Sequence, residues 1–146
     1  MSISVALATY NGEKYISEQL NSILPQLGPE DEIIISDDGS SDRTLEIVAG
    51  FCSAQIKVLK NPGKGVISNV ENAIKHTSGD IIFLCDQDDV WLPDKVSVTK
   101  KYLLESDVKL VVSDAIVVDE NLKVLEDSFF KLMNSGSGFI DRKSVV

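Results

Sequence analysis

Residues 79–93 read GDIIFLCDQDDVWLP and carry the signals for a helix end, a strand and the start of another helix. Gly79 and Asp80 are typical of a helix end, the apolar run Ile81–Cys85 predicts a buried strand, and Pro93 suits the first turn of a helix. Three carboxylates follow the strand within four positions. The segment therefore predicts one α-β-α unit with negative charge concentrated at the carboxyl end of its strand.

The same alternation of strand and helix signals extends along most of the chain. Four further apolar segments predict strands, at residues 3–9, 32–36, 56–59 and 109–113. Strands alternating with helices of this length predict a Rossmann-like α/β/α sandwich with a mostly parallel sheet. Beyond residue 113 the pattern changes to a hairpin, AIVVDENLKVLE, and the last residues, GFIDRKSVV, contain no helix stop signal. We therefore expect an interrupted, truncated version of this fold.

Composition excludes several classes of function. The 146 residues include 23 acids and 14 bases, a net charge of −9, which disfavours nucleic acid as a partner. No apolar run reaches the length of a membrane span, and the N-terminus lacks the features of a signal peptide. We expect a cytoplasmic protein, with docking at the inner face of the membrane and homodimer formation left open. Cys52 and Cys85 lie in apolar segments and are expected to be buried free thiols.

Polar clusters follow three of the predicted strands, at residues 9–12, 37–40 and 86–89. In open parallel sheets the carboxyl ends of the strands form the ligand crevice, particularly where the strand order reverses. We therefore expect the three clusters to converge on one site.

The acidic cluster after the strand at 81–85 suits a hard divalent metal. Neighbouring carboxylates raise one another's pKa unless a cation neutralises them, and Mg²⁺ or Mn²⁺ is held by one or two carboxylates, water and substrate phosphates. Asp86 and Asp88 are expected to face the same side of an extended segment. Helix capping or simple solvation is the alternative, and of the three acids Asp89 fits it best. Trp91 is expected to pack behind this loop or to form a wall of a sugar pocket.

The other clusters offer groups for a nucleotide. Asp37 and Asp38 enter the crevice, where a carboxylate accepts a hydrogen bond from a base or a ribose, although Asp-Gly-Ser is also common turn chemistry and Asp42 suits a helix cap. Tyr10 offers a ring to stack on a base, with packing as the alternative. Lys64, between two glycines, either reaches a phosphate or is a surface lysine.

Three motifs, in this order along the chain, carry a family resemblance. VALATYNG (5–12), DDGSSDRT (37–44) and GDIIFLCDQDDVWLPDKV (79–96) resemble the donor-binding half of family 2 nucleotide-sugar glycosyltransferases with the A-type fold. The resemblance covers about residues 2–114. CDQDDVW, preceded by NVENAIKHTSGD, is most similar to bacterial rhamnosyltransferase-type members that build surface polysaccharides.

The resemblance implies a base pocket and an inverting reaction. Tyr10 and Asp38 would hold the nucleotide base, and Ala8 and Thr9 would line its pocket. An acceptor hydroxyl, deprotonated by a carboxylate base, would displace the nucleoside diphosphate from the anomeric carbon of the sugar. The partners implied are a nucleotide-diphosphate sugar donor and a saccharide or lipid-linked acceptor.

The resemblance also implies a divalent metal site. Asp88 would bind the Mg²⁺ or Mn²⁺ that bridges the diphosphate, Asp86 would approach the ribose or the metal, and Asn69 would lie near the donor. In the family the catalytic base belongs to the acceptor half. Asp114 and Asp119 are the downstream carboxylates before the hairpin turn, and neither matches the family's base motif, so the base stays unassigned.

The implied organisation is a donor-binding α/β domain over residues 1–114 and the incomplete start of an acceptor-side region over residues 115–146.

Several alternative functions stay open. One is a noncatalytic fragment that binds a nucleotide sugar. A haloacid-dehalogenase-type phosphatase would use Asp86 as nucleophile and Asp88 as acid/base. A sugar nucleotidyltransferase and a receiver-type signalling domain fit less well, because each requires a different first loop.

Overall fold

The computed structural model describes residues 1–105 and 108–133. The chain divides into two compact units, Met1–Pro93 and Asp94–Val146. The predicted functional boundary at residue 114 lies within the second unit and stays a prediction.

In the first unit strands and helices alternate as the sequence predicts. The elements are β1 (Ile3–Thr9), α1 (Ile16–Ile23), β2 (Glu32–Asp37), α2 (Thr44–Gly50), β3 (Ile56–Lys60), α3 (Val66–Lys75) and β4 (Ile81–Cys85). The strands form one parallel sheet in the order β3-β2-β1-β4. After three strands laid down in one direction, the chain returns to place β4 beside β1. The strand order therefore reverses at the junction of β1 and β4, where such sheets bind ligands.

The core lies on both faces of β1 and β2, whose apolar runs predict coverage on both sides. On one face Ala6 and Ile34 pack against Ala73 of α3. On the other face Cys85, paired in register with Leu7, accepts a hydrogen bond from the side chain of α1 residue Gln19. Three apolar residues of α1 spaced for one helix face are fully buried: Ile16, Leu20 and Ile23.

One buried carboxylate joins the amino ends of the strands. Glu32, whose side chain is 9% exposed, accepts hydrogen bonds from Ser4 Oγ at 2.7 Å, from Ser78 N at 2.7 Å and from Lys57 Nζ at 2.6 Å. Burial by itself raises the pKa of Glu32, but the hydrogen bonds from Lys57, Ser78 and Ser4 outweigh it and lower the pKa from 4.5 to about 2. A Cβ at Gly79 would lie 2.7 Å from Ser4 N, so glycine is needed for this close approach.

The second unit confirms the predicted hairpin but not the predicted fifth strand. It contains α4 (Lys95–Glu105), an antiparallel pair of β5 (Val117–Val118) and β6 (Val124–Glu126), and α5 (Phe129–Leu132). Residues 109–113 form no strand and Leu110 is 75% exposed, so that prediction is wrong. An apolar run becomes a strand only where a neighbouring strand offers backbone partners.

The structure also tests the predictions for the two cysteines and for a membrane span. Cys85 is buried, whereas Cys52 is exposed, so its predicted burial is wrong; both are free thiols. α2 ends at Gly50, and Cys52 has a left-handed backbone with φ of 48°, which takes it off the apolar helix face. Of the helices that the structure describes, none combines the length and apolar character that a membrane span requires.

Candidate functional site

The loops that follow β1 and β2 are joined at the carboxyl edge of the sheet by hydrogen bonds between them. Asp38 N donates to Thr9 O at 3.0 Å, Asn11 N donates to Ser40 Oγ at 2.9 Å, and Gly12 N donates to the hydroxyl of Thr44 at 2.8 Å. Asn11 has a positive φ of 47°, a conformation that Asn tolerates better than most residues. The two clusters predicted to converge after these strands therefore lie together.

The two aspartates at the end of β2 have different environments. Asp37 is 3% exposed and its carboxylate accepts hydrogen bonds from Thr9 Oγ1 at 2.9 Å, Gly39 N at 3.0 Å, and Ser40 N and Oγ at 2.8 and 2.6 Å. These donors use the carboxylate fully within the fold. Asp37 therefore builds the turn and is not available to a ligand.

Asp38 is half-buried and holds the loop that follows β3. Its Oδ1 accepts from Asn61 Nδ2 at 2.7 Å and its Oδ2 accepts from Gly65 N at 2.8 Å. Each carboxylate oxygen has a second lone pair, so Asp38 can still accept from a ligand. Lys64, the residue before Gly65, is exposed, and no carboxylate among the described residues pairs with it. The loop after β3 thus brings one cation, Lys64, to this edge and fixes the acceptor Asp38 there.

Asn69 lies under the end of β1. It is 3% exposed, its Nδ2 donates to Thr9 O at 3.0 Å, and its Oδ1 has no donor among the described residues. Buried acceptors are rarely left unpaired, so a donor from water or a ligand is expected at Oδ1. Thr9 is 1% exposed and its hydroxyl donates a hydrogen bond to Asp37. Its backbone, including the carbonyl that binds Asn69, therefore shapes this part of the site more than its hydroxyl does. Ala8 is half-buried.

Tyr10 presents its ring outward from a fixed backbone. The residue is 56% exposed. Its N–H donates to Gln87 Oε1 at 2.9 Å, and Gln87 Nε2 donates back to Tyr10 O at 3.1 Å. The side chain of Gln87 therefore connects the loop after β1 with the loop after β4, and all four loops meet at one edge.

The carboxylates of Asp86 and Asp88 are exposed, and no donor or cation among the described residues engages them. The expectation of an extended segment is wrong, because Gln87 and Asp88 form a turn, so strand alternation does not fix the direction of the two side chains. No group of three or more acids, histidines or cysteines in the described part of the chain could hold a metal ion. Two unpaired carboxylates still fit Mg²⁺ or Mn²⁺, which takes its remaining ligands from water and phosphate.

The loop after β4 rests on a packed base. Trp91 is 6% exposed, its ring centroid lies 5.3 Å from that of Phe83, and its backbone N–H donates to Ser22 Oγ at 2.9 Å. The fully buried Gln19 donates to Sγ of Cys85, the last residue of β4 before the acids. Trp91 therefore packs behind the acidic loop, as expected.

The downstream carboxylates of the second unit hold local turns. Asp114 accepts from Ser128 Oγ at 2.6 Å and from Phe130 N at 2.9 Å, and the hydrogen bond from Ser128 is the main cause of a lowered pKa at Asp114. Asp119 Oδ1 accepts from Asn121 N at 2.9 Å and Lys123 N at 3.0 Å. Both carboxylates accept hydrogen bonds within the fold, so neither is assigned as the catalytic base.

Three polar residues of the site were not among the sequence-derived candidates. Asn61 is 5% exposed and binds Asp38, Gln87 binds Tyr10, and Gln19 supports Cys85. Asn in an Asn-Pro-Gly turn is a detectable signal for Asn61. The helical position of Gln19 among buried apolar residues was a second signal, since a polar group there needs a partner.

Comparison with known proteins agrees with the resemblance. The model of glycosyl transferase family 2 matches residues 4–139. The chain is 30% identical over 120 residues to UDP-Glc:alpha-D-GlcNAc-diphosphoundecaprenol beta-1,3-glucosyltransferase WfgD of Escherichia coli. The aligned region covers 82% of this chain and 47% of that protein. It is 32% identical over 158 residues to dTDP-rhamnosyl transferase RfbG of Shigella flexneri, covering 96% and 55%.

A solved structure shows the same fold. Glucosyl-3-phosphoglycerate synthase from Mycobacterium tuberculosis, in complex with Mn²⁺, UDP and glucosyl-3-phosphoglycerate, is 28% identical, with a TM-score of 0.63 over 73% of this chain and 40% of that one. The chain spans about half the length of the curated relatives it matches. The strand order, the acidic loop at the switch point and the family match over 4–139 agree, and the chain belongs to glycosyl transferase family 2, with the A-type fold of that family.

Proposed function

We propose that this chain forms the donor-binding part of an inverting glycosyltransferase that takes a sugar from a nucleotide-diphosphate donor. The acceptor is a saccharide or a lipid-linked saccharide of bacterial surface polysaccharide synthesis. The names of the two relatives, a UDP-glucose enzyme and a dTDP-rhamnosyl enzyme, support a pyrimidine nucleotide as the first donor to test. The diphosphoundecaprenol in the first name supports a lipid-linked acceptor.

The pair Asp86 and Asp88 is the observation that carries the proposal. Two buried acids of the same sheet, Glu32 and Asp37, are saturated by internal donors. Asp86 and Asp88 are exposed at the switch point of the sheet and no described residue engages them. Two exposed carboxylates without an internal partner at a ligand crevice are available as oxygen ligands, which is a reason to expect a divalent metal there.

The remaining residues suit the parts of a nucleotide. Tyr10 offers an exposed ring for the base, and Asp38 offers a fixed carboxylate that accepts from a base N–H. Asn69 Oδ1 is a buried acceptor beside Thr9 O, suited to a hydroxyl of the donor. Ala8 and Thr9 shape the base pocket through their backbone.

Asp88, with Asp86, would hold a Mg²⁺ or Mn²⁺ ion on the diphosphate. The ion, when bound, supplies positive charge that stabilises the departing nucleoside diphosphate. The chain's own residues bind and orient the donor so that the anomeric carbon stays open to the acceptor hydroxyl on the face opposite the leaving group. The base that takes the proton of that hydroxyl is assigned to no residue here, since Asp114 and Asp119 are engaged in turns.

A nucleotide panel tests the proposal. UDP, dTDP and GDP are each added with Mn²⁺, with Mg²⁺ or with chelator, and the melting temperature is recorded. A ligand at about 100 times its dissociation constant adds about 2.7 kcal/mol, which is a few degrees at this size. One nucleotide should stabilise the protein with metal and not with chelator. A cooperatively melting protein that responds to none of them would contradict the proposal.

Binding without transfer is the second candidate, favoured by the engagement of both downstream carboxylates in the second unit. It predicts the same metal-dependent nucleotide binding, but no release of sugar from the donor. Chromatography of a donor such as UDP-glucose after incubation with the protein separates the two. The phosphatase alternative does not survive, because the family match assigns the chain to a different class.

A cytoplasmic location, at the inner face of the membrane, follows from a nucleotide-sugar donor and a lipid-linked acceptor. Homodimer formation stays a prediction, for which light scattering is the measurement. Co-sedimentation with anionic lipid vesicles tests the association with a membrane.

A further inference from the structure

The middle residue of the acidic motif makes a contact that its neighbours do not. Gln87 is half-buried, whereas Asp86 and Asp88 are exposed. Its side-chain amide forms two hydrogen bonds with the backbone of Tyr10, which lies 77 positions earlier in the chain: N–H to Oε1 at 2.9 Å and Nε2 to carbonyl at 3.1 Å. Both polar groups of one peptide residue are therefore satisfied by one side chain.

This pair of bonds lies just past the end of the pairing between β1 and β4. The last residues of β1 and β4 in register are Leu7 and Cys85, so Thr9 and Gln87 are two positions beyond the ladder. The side-chain amide takes the place of the backbone partner that a continued strand would provide. It thus holds together the two loops that open at the switch point.

The loop after β1 leaves space for this amide. A Cβ at Gly12 would lie 2.7 Å from Gln87 Cδ and closer still to its Oε1, distances that real Cβ atoms do not adopt. A glycine here permits the contact with Gln87. From the other side, Asn11 N and Gly12 N donate to Ser40 and Thr44, so the Tyr10 segment is fixed between the β2 loop and the acidic loop.

We propose that Gln87 is a positioning residue that fixes the base-stacking Tyr10 to the metal-binding loop, so that base recognition depends on the acidic motif's middle side chain. The proposal rests on the donor-binding function argued above. In this proposal Gln87 contacts neither the metal nor the diphosphate. It fixes the position of the Tyr10 ring through the Tyr10 backbone. The chemistry predicts a selective effect, on the base and not on the phosphates.

Two ligands separate the base from the phosphates. Isothermal titration with Mn²⁺-pyrophosphate reports the metal and phosphate contacts, and titration with Mn²⁺-UDP adds base and ribose. In Gln87→Met, which keeps the volume and removes both hydrogen bonds, the affinity for Mn²⁺-UDP should fall about tenfold, the scale of a lost base-aromatic stack. Affinity for Mn²⁺-pyrophosphate should change less than twofold.

The chain offers a matched control in Gln55, whose Nε2 donates to Gly28 O at 2.7 Å and to Asp31 O at 3.2 Å, near the amino ends of the strands. Gln55→Met removes a clamp of the same kind away from the crevice and should leave both affinities unchanged. Gly12→Ala displaces the Gln87 amide from the opposite side and should reproduce the selective loss.

A double-mutant cycle with Tyr10→Ala tests the mechanism. Tyr10→Ala keeps the backbone clamp but removes the ring, so adding Gln87→Met to it should cost no further affinity for Mn²⁺-UDP. Additive losses, equal losses for both ligands, or no loss would overturn the proposal. Amide hydrogen exchange in the free protein is independent of any ligand: the Tyr10 N–H should exchange faster in Gln87→Met. Faster exchange in a protein that binds no nucleotide would refute the proposed function and leave the clamp; unchanged exchange would refute the clamp itself.

Discussion

Replacement of Glu32 by Gln should flatten the acid limb of the stability curve. The pKa of Glu32 falls from 4.5 to about 2 on folding, so its contribution is present above the unfolded pKa and is lost as pH falls through the folded value. Between pH 7 and pH 3 these two values correspond to a loss of about 2 kcal/mol. Lys57 is 60% exposed and its attraction is partly screened, so about 1 to 2 kcal/mol is the expected difference.

The assay is urea unfolding of the wild type and of Glu32→Gln at pH 7, 5 and 3. The wild type should lose about 1 to 2 kcal/mol more of its free energy of unfolding over this range than the variant. Glu71→Gln is the matched control, since Glu71 is an exposed partner of Lys75 and its pair contributes about 0 to 1 kcal/mol at most. Parallel losses of stability in the wild type and in Glu32→Gln would show that folding does not lower the pKa of this buried carboxylate.

Two further pairs of substitutions separate structure from binding by urea unfolding. Asp37→Ala should lower the free energy of unfolding by about 2 to 4 kcal/mol because it leaves buried donors unpaired, whereas Asp86→Ala should change it by less than about 0.5 kcal/mol; the reverse order would contradict the assignment of roles. Gly79→Ala should destabilise by about 1 to 3 kcal/mol because its Cβ would meet Ser4 N, while Gly50→Ala, with open space around it in α2, should stabilise by about 0.5 to 1 kcal/mol. Equal effects at the two glycines would show that the close approach is absent.

Much of the fold was predictable because its signals are local. Apolar runs of strand length, bounded by turn residues, mark β1, β2, β3 and β4. The rule that ligands bind at the carboxyl ends of parallel strands predicts the edge of the sheet where the loops meet. The segment at 109–113 has the same apolar run but forms no strand, since a run says nothing about whether a partner strand is available. Cys52 likewise left the helix face because α2 ended two residues before it.

The position of the candidate site could be predicted from the sequence, but its hydrogen bonds could not. Asp37 and Asp38 are adjacent and chemically identical, yet one is buried among four donors and the other fixes the β3 loop. Which of the two faces a ligand depends on the path of the backbone. The bond between Gln87 and Tyr10 joins residues 77 apart, and no local pattern contains it.

Manganese binding measured by electron paramagnetic resonance is the sharpest test of the proposed donor site. The free protein, the protein with UDP or dTDP, and Asp88→Asn are each titrated with Mn²⁺, with Asp80→Asn, the same change of charge at the amino edge of the sheet, as control. We expect one tightly bound Mn²⁺ per chain when the nucleotide is present, lost in Asp88→Asn and kept in Asp80→Asn. Binding that survives in Asp88→Asn, or no nucleotide-dependent binding in the wild type, would contradict it.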